Sequence, residues 1–205
     1  MKVLMINGSP HEEGCTHRAL SEIAESLASD GVESEIFWIG SAPIASCLAC
    51  GMCRRTGFCA INDRLAKLPD VTEYDGFVFG SPVHYAEPSG GMMAFMGRLF
   101  YQNSAVFEGK PAACVASCRR AGSTSALEAL WKFPTYAGMY LVGSQYWPMV
   151  HGNTPAEVEK DLEGMQIMRT LGHNMGYLLK CLEAGKEAGV KKAPREARVG
   201  TNFIR

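Results

Sequence analysis

The sequence lacks a membrane-spanning segment and a strong excess of charge. None of its apolar runs reaches the roughly 18 residues of a transmembrane helix, and the formal net charge of its 205 residues is −1. We therefore expect neither a membrane nor a nucleic acid as partner, since no overall field would recruit an anionic surface. A strand that begins at residue 2 leaves no space for a signal peptide, so a cytoplasmic protein is expected.

Two common nucleotide-binding motifs are also missing. No G-x-G-x-x-G follows the first apolar run, which argues against a tightly held dinucleotide. Gly8 and Gly14 lie one residue further apart than the glycines of a P-loop, and no Lys-Ser/Thr pair follows. The residues that would bind β- and γ-phosphates and magnesium are therefore absent. Internal repeats and low-complexity segments are absent too, and the length favours one domain.

The first eighteen residues combine a strand, a polar loop and a helix start. An apolar run from Lys2 ends at Gly8, and a small polar loop then leads into a helical pattern. The N-terminus of a helix offers free N–H groups and a partial positive charge, and the hydroxyls of Ser9 and Thr16 would complete an anion site. One terminal phosphate, as in a mononucleotide such as FMN, suits this loop. The alternative is a plain Gly-Ser-Pro turn before a capped helix.

Apolar runs alternate with helical patterns, which predicts an α/β fold with a parallel sheet. Ser9, Ser81 and Ser117 each follow a predicted strand, so we expect their loops to share one crevice at the carboxyl edge of the sheet. Strands are predicted from residue 2, at 33–39, 76–80 and 112–116, and within 139–145, and helices near 15–29, 64–69, 89–101, 123–133 and 155–184. We expect a single domain over 1–185 and a basic tail at 186–205. The tail's positive residues are Lys186, Lys191, Lys192, Arg195, Arg198 and Arg205.

The loop after the third predicted strand has features of a flavin-ring site. Prolines and glycines constrain the segment 81–91, and Tyr85 lies in its middle. Tyr85 would supply a flat apolar wall, and residues 82–84 would supply backbone contacts to the polar edge of the ring. The alternative is that Tyr85 packs the loop and His84 is a surface residue. The methionine-rich helix that follows is interpreted as core or as a subunit interface.

Eight cysteines in a cytoplasmic chain indicate metal or redox use rather than disulfides. Four of them form C-x2-C-x2-C-x5-C: Cys47, Cys50, Cys53 and Cys59. Two C-x2-C steps in tandem are closer to iron–sulfur usage than to the paired knuckles of a zinc ribbon. Arg54 and Arg55 would offset the negative charge of a cluster. Zinc and four empty thiols remain alternatives.

Three segments of the chain, 1–10, 81–85 and 117–122, resemble the flavin loops of the NADPH-dependent FMN reductase family. The cysteine block is similar to that of the iron–sulfur flavoprotein branch, and residues 144–152 resemble a late segment found in many relatives. The similarity covers roughly residues 1–185. It implies a flavodoxin-like three-layer α/β sandwich with a five-stranded parallel sheet of order 2-1-3-4-5. It also implies non-covalent FMN, a possible [4Fe–4S] cluster, and a homodimer or homotetramer.

The resemblance assigns FMN contacts to three groups of residues. The residues that would hold the phosphate are Ser9, His11, Gly14, Cys15 and Thr16. Those that would line the flavin ring are Pro82, Val83, His84 and Tyr85, and those that would close the third side of the flavin site are Ser117, Arg119, Arg120 and Gly122. Candidates for a contribution from a neighbouring subunit are Tyr146, Trp147 and His151. Two departures weaken the phosphate site. His11 stands where many relatives have Arg, and Cys15 stands where many have Asn or a small polar residue.

The function expected from this resemblance is electron transfer from NAD(P)H, or from a ferredoxin-like donor, through FMN to an acceptor. The acceptor would be a quinone, free flavin, a metal or a protein. No catalytic side chain is expected, because the flavin carries the chemistry. One alternative is an electron carrier without turnover that exchanges with ferredoxin. Another is a redox- or metal-responsive binding protein whose sensor is the cysteine loop.

Overall fold

A parallel sheet forms the middle layer of the protein. The computed structural model describes residues 1–197 and 199–201. The described residues form seven strands: β1 (Lys2–Asn7), β2 (Glu33–Trp38), β3 (Gly76–His84), β4 (Glu87–Pro88), β5 (Pro111–Cys118), β6 (Tyr140–Leu141) and β7 (Met149–His151). The main path runs β2-β1-β3-β5-β6, with β4 antiparallel to β3 and β7 parallel to β5.

The fifth position of the sheet is one strand in two pieces. β6 pairs with the start of β5, at 111–112, and β7 pairs with its end, at 116–118. Residues 143–147 lie outside the sheet between the two pieces. The predicted order 2-1-3-4-5 is therefore confirmed for the five positions, but the predicted number of five strands is wrong. The prediction within 139–145 found only the first piece, because Gly143 and Pro148 interrupt the strand pattern.

The described residues also form six α-helices: α1 (Cys15–Ser29), α2 (Met52–Thr56), α3 (Gly90–Phe107), α4 (Ser123–Tyr136), α5 (Pro155–Val158) and α6 (Leu162–Glu187). The predicted helix at 155–184 is in fact two helices, since Thr154 caps α5 and the Asp161 carboxylate caps α6 afresh. The predicted helix at 64–69 is a 3-10 turn, Arg64–Lys67. A second 3-10 turn spans Val71–Glu73.

Two apolar layers cover the two faces of the sheet. Alternate residues of β1 point to opposite faces, as the strand repeat of two requires. Leu4 and Ile6 pack with α3 and α4, whereas Val3 and Met5 pack with α1 and α6. Both faces of the sheet are buried under apolar side chains, which is typical of a parallel sheet in a three-layer sandwich.

None of the helices in the described residues is both long and apolar enough to cross a membrane.

The basic tail contacts Glu108, the residue that follows α3. Lys192 Nζ donates to the carbonyl of Glu108 at 3.3 Å, and Arg195 forms an ion pair with the Glu108 carboxylate. Arg198 and Arg205, also predicted to contribute to the basic tail, lie outside the described residues.

A buried carboxylate joins α1 to α6. Glu22 is buried and accepts from Arg18 at 2.7 Å and from Arg169 of α6 at 2.5 Å. Burial alone would raise the pKa of Glu22, but the hydrogen bonds from Arg169 and Arg18 hold it below its ordinary value. The ionised form therefore stabilises the fold.

We expect Glu22→Gln to lower the free energy of unfolding by about 1–3 kcal/mol at neutral pH. Because the folded pKa lies below the unfolded one, this stabilisation is present above the unfolded pKa of about 4.3 and is lost as the pH falls through the folded pKa. Urea unfolding at pH 7 and pH 3 checks both points, with the exposed Glu25→Gln as control. A difference from wild type that is equally large at pH 3 would contradict the assignment.

Candidate functional site

The loop after β1 is held against its neighbours by the backbone. The N–H of Gly8 donates to the carbonyl of Gly80 at 2.8 Å, and the N–H of Ser9 donates to Asn7 Oδ1 at 3.1 Å. A Cβ added at Gly8 would lie 2.7 Å from Met92 Sδ. Glycine at this position therefore lets the end of β1 pass directly over the start of α3.

The start of α1 is open to an anion. Gly14 precedes the helix, and among the described residues no side chain caps it. The N–H groups of the first turn are therefore available to a ligand. Burial raises the pKa of the Cys15 thiol, so this side chain stays neutral and adds no negative charge at the helix start. The hydroxyl of Ser9 accepts from the N–H of His11 at 3.1 Å and fixes the loop.

The second loop is a strained hairpin. β3 continues beyond the predicted strand to His84, and β4 returns antiparallel to it. Tyr85 and Ala86 connect them with φ values of 52° and 64°, the left-handed backbone of a tight hairpin turn. Non-glycine residues rarely adopt this backbone, and it is a conformation concentrated at functional sites. The Tyr85 side chain is fully exposed, so the alternative that it packs the loop is not supported.

Ser89 links the second loop to the first. Its hydroxyl donates to the carbonyl of Gly8 at 2.7 Å and also caps α3 by accepting from the N–H of Met92 at 3.1 Å. Its own N–H donates to Ser81 Oγ at 2.9 Å. Sequence analysis did not assign Ser89 to the site. Its place before the helix start at Gly90 is the signal that would have identified it as a cap.

The third loop, residues 117–122 from the end of β5 to the start of α4, contacts the other two loops. The hydroxyls of Thr16 and Ser117 lie 2.8 Å apart, and both side chains are buried. Gly122 has φ 88°, and a Cβ added there would lie 2.8 Å from Ala86 Cα. The three loops therefore touch pairwise at the carboxyl edge of the sheet.

The residues predicted to bind FMN fall into two groups in this arrangement. The loop contacts bring together Ser9, Gly14, Thr16, Pro82, Val83, Ser117 and Gly122, with Cys15 half-buried beside them. His11, His84, Tyr85, Arg119 and Arg120 are exposed at the surface of the same loops. Buried and half-buried positions thus shape the crevice, and exposed ones surround it.

Of the three residues predicted to act from a neighbouring subunit, His151 lies beside the third loop. His151 ends β7 beside Cys118, and its N–H donates to Asp161 Oδ2 at 2.7 Å. Tyr146 and Trp147 lie between β6 and β7 with their ring centroids 4.8 Å apart and half of each side chain exposed. Their contribution to a second subunit stays a prediction.

The cysteine loop, residues 47–59, lies against the middle of α3. Cys53 Sγ lies 3.9 Å from the carbonyl of Tyr101, and the N–H of Cys59 donates to Gln102 Oε1 at 3.0 Å. Inside the loop is α2, a single turn that lies between two left-handed glycines, Gly51 and Gly57. One cavity is lined by all four predicted ligands, Cys47, Cys50, Cys53 and Cys59.

The donor set suits an iron–sulfur cluster or a zinc ion. All eight cysteines are free thiols, and the four predicted ligands line one cavity. A four-iron cluster takes one thiolate at each of four separate irons, whereas a zinc ion takes four thiolates itself, at about 2.3 Å. Four free thiols around a shared cavity are compatible with either group.

Sequence analysis missed Arg98, the charged residue beneath the cysteine loop. It is almost completely buried in α3, and it forms a two-pronged ion pair with Asp63. Burial alone would raise the pKa of Asp63, but hydrogen bonds from Arg98 and from the N–H of Leu65 lower it below its usual range. A single arginine in an otherwise apolar helical band was the available signal.

Known proteins share the sequence pattern and the fold. The chain is 28% identical over 195 residues to an iron-sulfur flavoprotein of Methanocaldococcus jannaschii, which covers 89% of this chain and 100% of the relative. Its fold is similar to a flavodoxin from the domain Archaea (TM-score 0.60, 16% identity, 88% of this chain and 99% of that one). It is also similar to RosB solved with a bound riboflavin-phosphate intermediate (TM-score 0.67, 14% identity, 100% and 92%).

These similarities agree with the sheet order and helix layers described above. The two solved structures confirm the flavodoxin-like α/β fold, and at their identities they bear on the fold alone. The sequence match shows the family, since the model of the family described as NADPH-dependent FMN reductase matches residues 1–154, more than half of the chain. The chain therefore belongs to the NADPH-dependent FMN reductase family.

Proposed function

We propose that the chain binds FMN in the crevice formed by its three loops and works as an FMN-dependent oxidoreductase. The observation that supports this is the set of contacts between the loops: Ser89 with Gly8, Thr16 with Ser117, and Gly122 with Ala86. These contacts join three strand ends into one preorganised crevice, which is where open α/β sheets bind ligands.

The phosphate of FMN would lie at the start of α1. The N–H groups of the first turn, at residues 15–17, would donate to it, with the hydroxyls of Ser9 and Thr16 beside them. His11 is exposed on the same loop and has no fixed charge comparable to that of an arginine. The fixed helix end would therefore supply most of the attraction.

The ring would lie along the second loop. The strained backbone at Tyr85 holds that side chain out of the core, where it offers a flat wall. Backbone groups of Pro82, Val83 and His84 would contact the polar edge of the ring, and Arg119 and Arg120 would close the third side. Bound FMN supplies hydride and single-electron chemistry at its ring, so the protein's part is to bind, orient and limit water.

The four cysteines would hold a [4Fe–4S] cluster, which supplies single-electron transfer. We propose that electrons enter from NAD(P)H or from a ferredoxin-like protein and leave to a quinone, a flavin or a protein acceptor. Eight free thiols suit a reducing compartment, in keeping with a cytoplasmic protein. We also propose that the protein works as a homodimer or homotetramer.

A second candidate function is an electron carrier without turnover of its own. The observation that favours it is the exposure of Cys47 and Cys50, which would place a cluster at the surface, within reach of a protein partner. This candidate predicts slow or absent oxidation of NAD(P)H by the pure protein, with rapid exchange of electrons with a ferredoxin.

The proposal is tested by purifying the chain without oxygen and measuring its visible spectrum, iron and acid-labile sulfide. We expect flavin bands over a broad absorbance, with about four irons per chain. Flavin without iron, even after anaerobic reconstitution, would reject the cluster and leave a flavin reductase with free cysteines. Absence of flavin before and after addition of FMN would reject the proposal as a whole.

A further inference from the structure

The buried guanidinium of Arg98 makes five hydrogen bonds at the base of the cysteine loop. Its Nη1 and Nη2 donate to the two carboxylate oxygens of Asp63, the second at 3.0 Å. The same nitrogens donate to the carbonyl of Ala45 at 3.3 Å and to that of Ile61 at 3.1 Å. Its Nε points to Cys59 Sγ at 3.3 Å. Only 2% of Arg98 is exposed, so these contacts are shielded from water.

These contacts connect the two ends of the loop. Ala45 precedes the first cysteine and Ile61 follows the last, so one side chain holds both ends of the segment that carries all four thiols. Asp63 in turn caps the following 3-10 turn through the N–H of Leu65 at 3.1 Å. The guanidinium is a planar fork that suits such a fixed, multi-point contact, whereas lysine offers a single flexible charge.

The contact to Cys59 has a different consequence. A buried N–H donor on a ligand sulfur stabilises negative charge there, and hydrogen bonds to the sulfurs are among the factors that set the potential of an iron–sulfur cluster. Cys47 and Cys50 are exposed, so water can donate hydrogen bonds to their sulfurs. Cys59 is half-buried, and a fixed positive charge is placed against it.

We propose that Arg98 is a positioning residue for the cluster site: it closes the cysteine loop at both ends and raises the reduction potential through Cys59. This inference rests on the proposed function, because it requires a cluster at the four cysteines. In a purely structural role, the ion pair with Asp63 would stabilise the loop without changing the potential.

The test compares Arg98→Met, which removes the charge and the fork, with Arg98→Lys, which keeps a charge but not the fork. Lys67→Met is the matched control, since it removes an exposed positive charge four residues from Asp63. Each anaerobically reconstituted protein is assayed for iron, for FMN, for the rate of iron release to a chelator and for the midpoint potential by a redox titration followed by EPR.

For Arg98→Met we expect a more negative midpoint potential than in wild type, by more than the shift in Lys67→Met, and iron release that is several-fold faster. Arg98→Lys should recover much of the potential but still release iron faster than wild type. FMN per chain should be unchanged in all variants, which shows that they fold. If Arg98→Met retains no iron, the midpoint potential is measured on Arg98→Lys and compared with wild type. Complete loss of iron from Arg98→Met with FMN still bound supports the positioning role.

A second readout needs no cluster. In the iron-free protein, trypsin should cleave after Arg54 and Arg55, both exposed, several-fold faster in Arg98→Met than in wild type or Lys67→Met. A potential in Arg98→Met within the Lys67→Met shift, or equal potentials in Arg98→Met and Arg98→Lys, would overturn the inference. Wild-type protein that takes up no iron at all would instead overturn the proposed cluster on which it rests.

Discussion

Replacing Cys50 with alanine should lower the iron content from about four atoms per chain to less than one, while FMN stays bound. Cys50 is exposed on the loop that packs against Tyr101 and Gln102, in the middle of α3. The contact between the two crevice loops is the hydrogen bond from Ser89 to Gly8, and Ser89 precedes the first turn of the same helix. Loss of one thiolate should therefore empty the cluster site and leave the crevice intact.

Iron, sulfide and flavin analyses of the purified variant measure this directly. Cys181→Ala is the matched control, since that thiol is also free and exposed but lies on α6. It should retain wild-type iron. If Cys50→Ala loses FMN together with iron, the cysteine loop is needed for the flavin site as well, and the division into two sites is wrong.

Replacing Gly122 with alanine should weaken FMN binding at least tenfold and lower the free energy of unfolding by about 1–3 kcal/mol. Two causes act together. Its φ of 88° is unfavourable for any residue with a Cβ, and the new Cβ would lie 2.8 Å from the backbone of Ala86. The hairpin that carries Tyr85 would have to move away from the third loop.

Gly31→Ala separates these causes. Gly31 has φ 75°, but no atom of the described residues lies within 4 Å of an added Cβ. It should show the backbone cost alone, about 1 kcal/mol, with unchanged FMN affinity. Flavin fluorescence titration and urea unfolding of both variants provide the comparison. An equal FMN affinity in the two variants would mean that the contact between the loops does not shape the crevice.

Local patterns predicted the parts of the fold that depend on neighbours in sequence. The helix expected at 15–29 is α1, residue for residue, because its apolar face repeats cleanly and Gly14 precedes it. The strand expected at 33–39 is one residue shorter. Ser9 follows β1 as expected, but the expectation for Ser81 and Ser117 is wrong, because β3 and β5 run further than predicted and include them. The sheet order was supplied by the family resemblance rather than by the patterns themselves.

The parts that were missed depend on contacts between distant residues. Arg98 is stable in an apolar layer because Asp63, thirty-five residues earlier, pairs with its charge, and because the carbonyls of Ala45 and Ile61 accept its other N–H groups. β7 forms only because β5 offers it free backbone partners beyond the interruption. Likewise, the break before α6 follows from Asp161, whose carboxylate serves both Gly164 and the N–H of His151. No local repeat carries such information.

The helix α3 fixes the distance and the relative orientation between the crevice and the cysteine loop. Its regular part runs from Gly90 to the irregular backbone at Asn103, with Ser89 under the crevice at one end and Arg98 under the cysteine loop. Nine residues at about 1.5 Å each separate the two by about 13.5 Å along the axis. One inserted residue would add little length but would turn Arg98 by about 100° away from Cys59. An insertion that keeps Arg98 facing Cys59 therefore has to add about three or four residues, close to one helical turn.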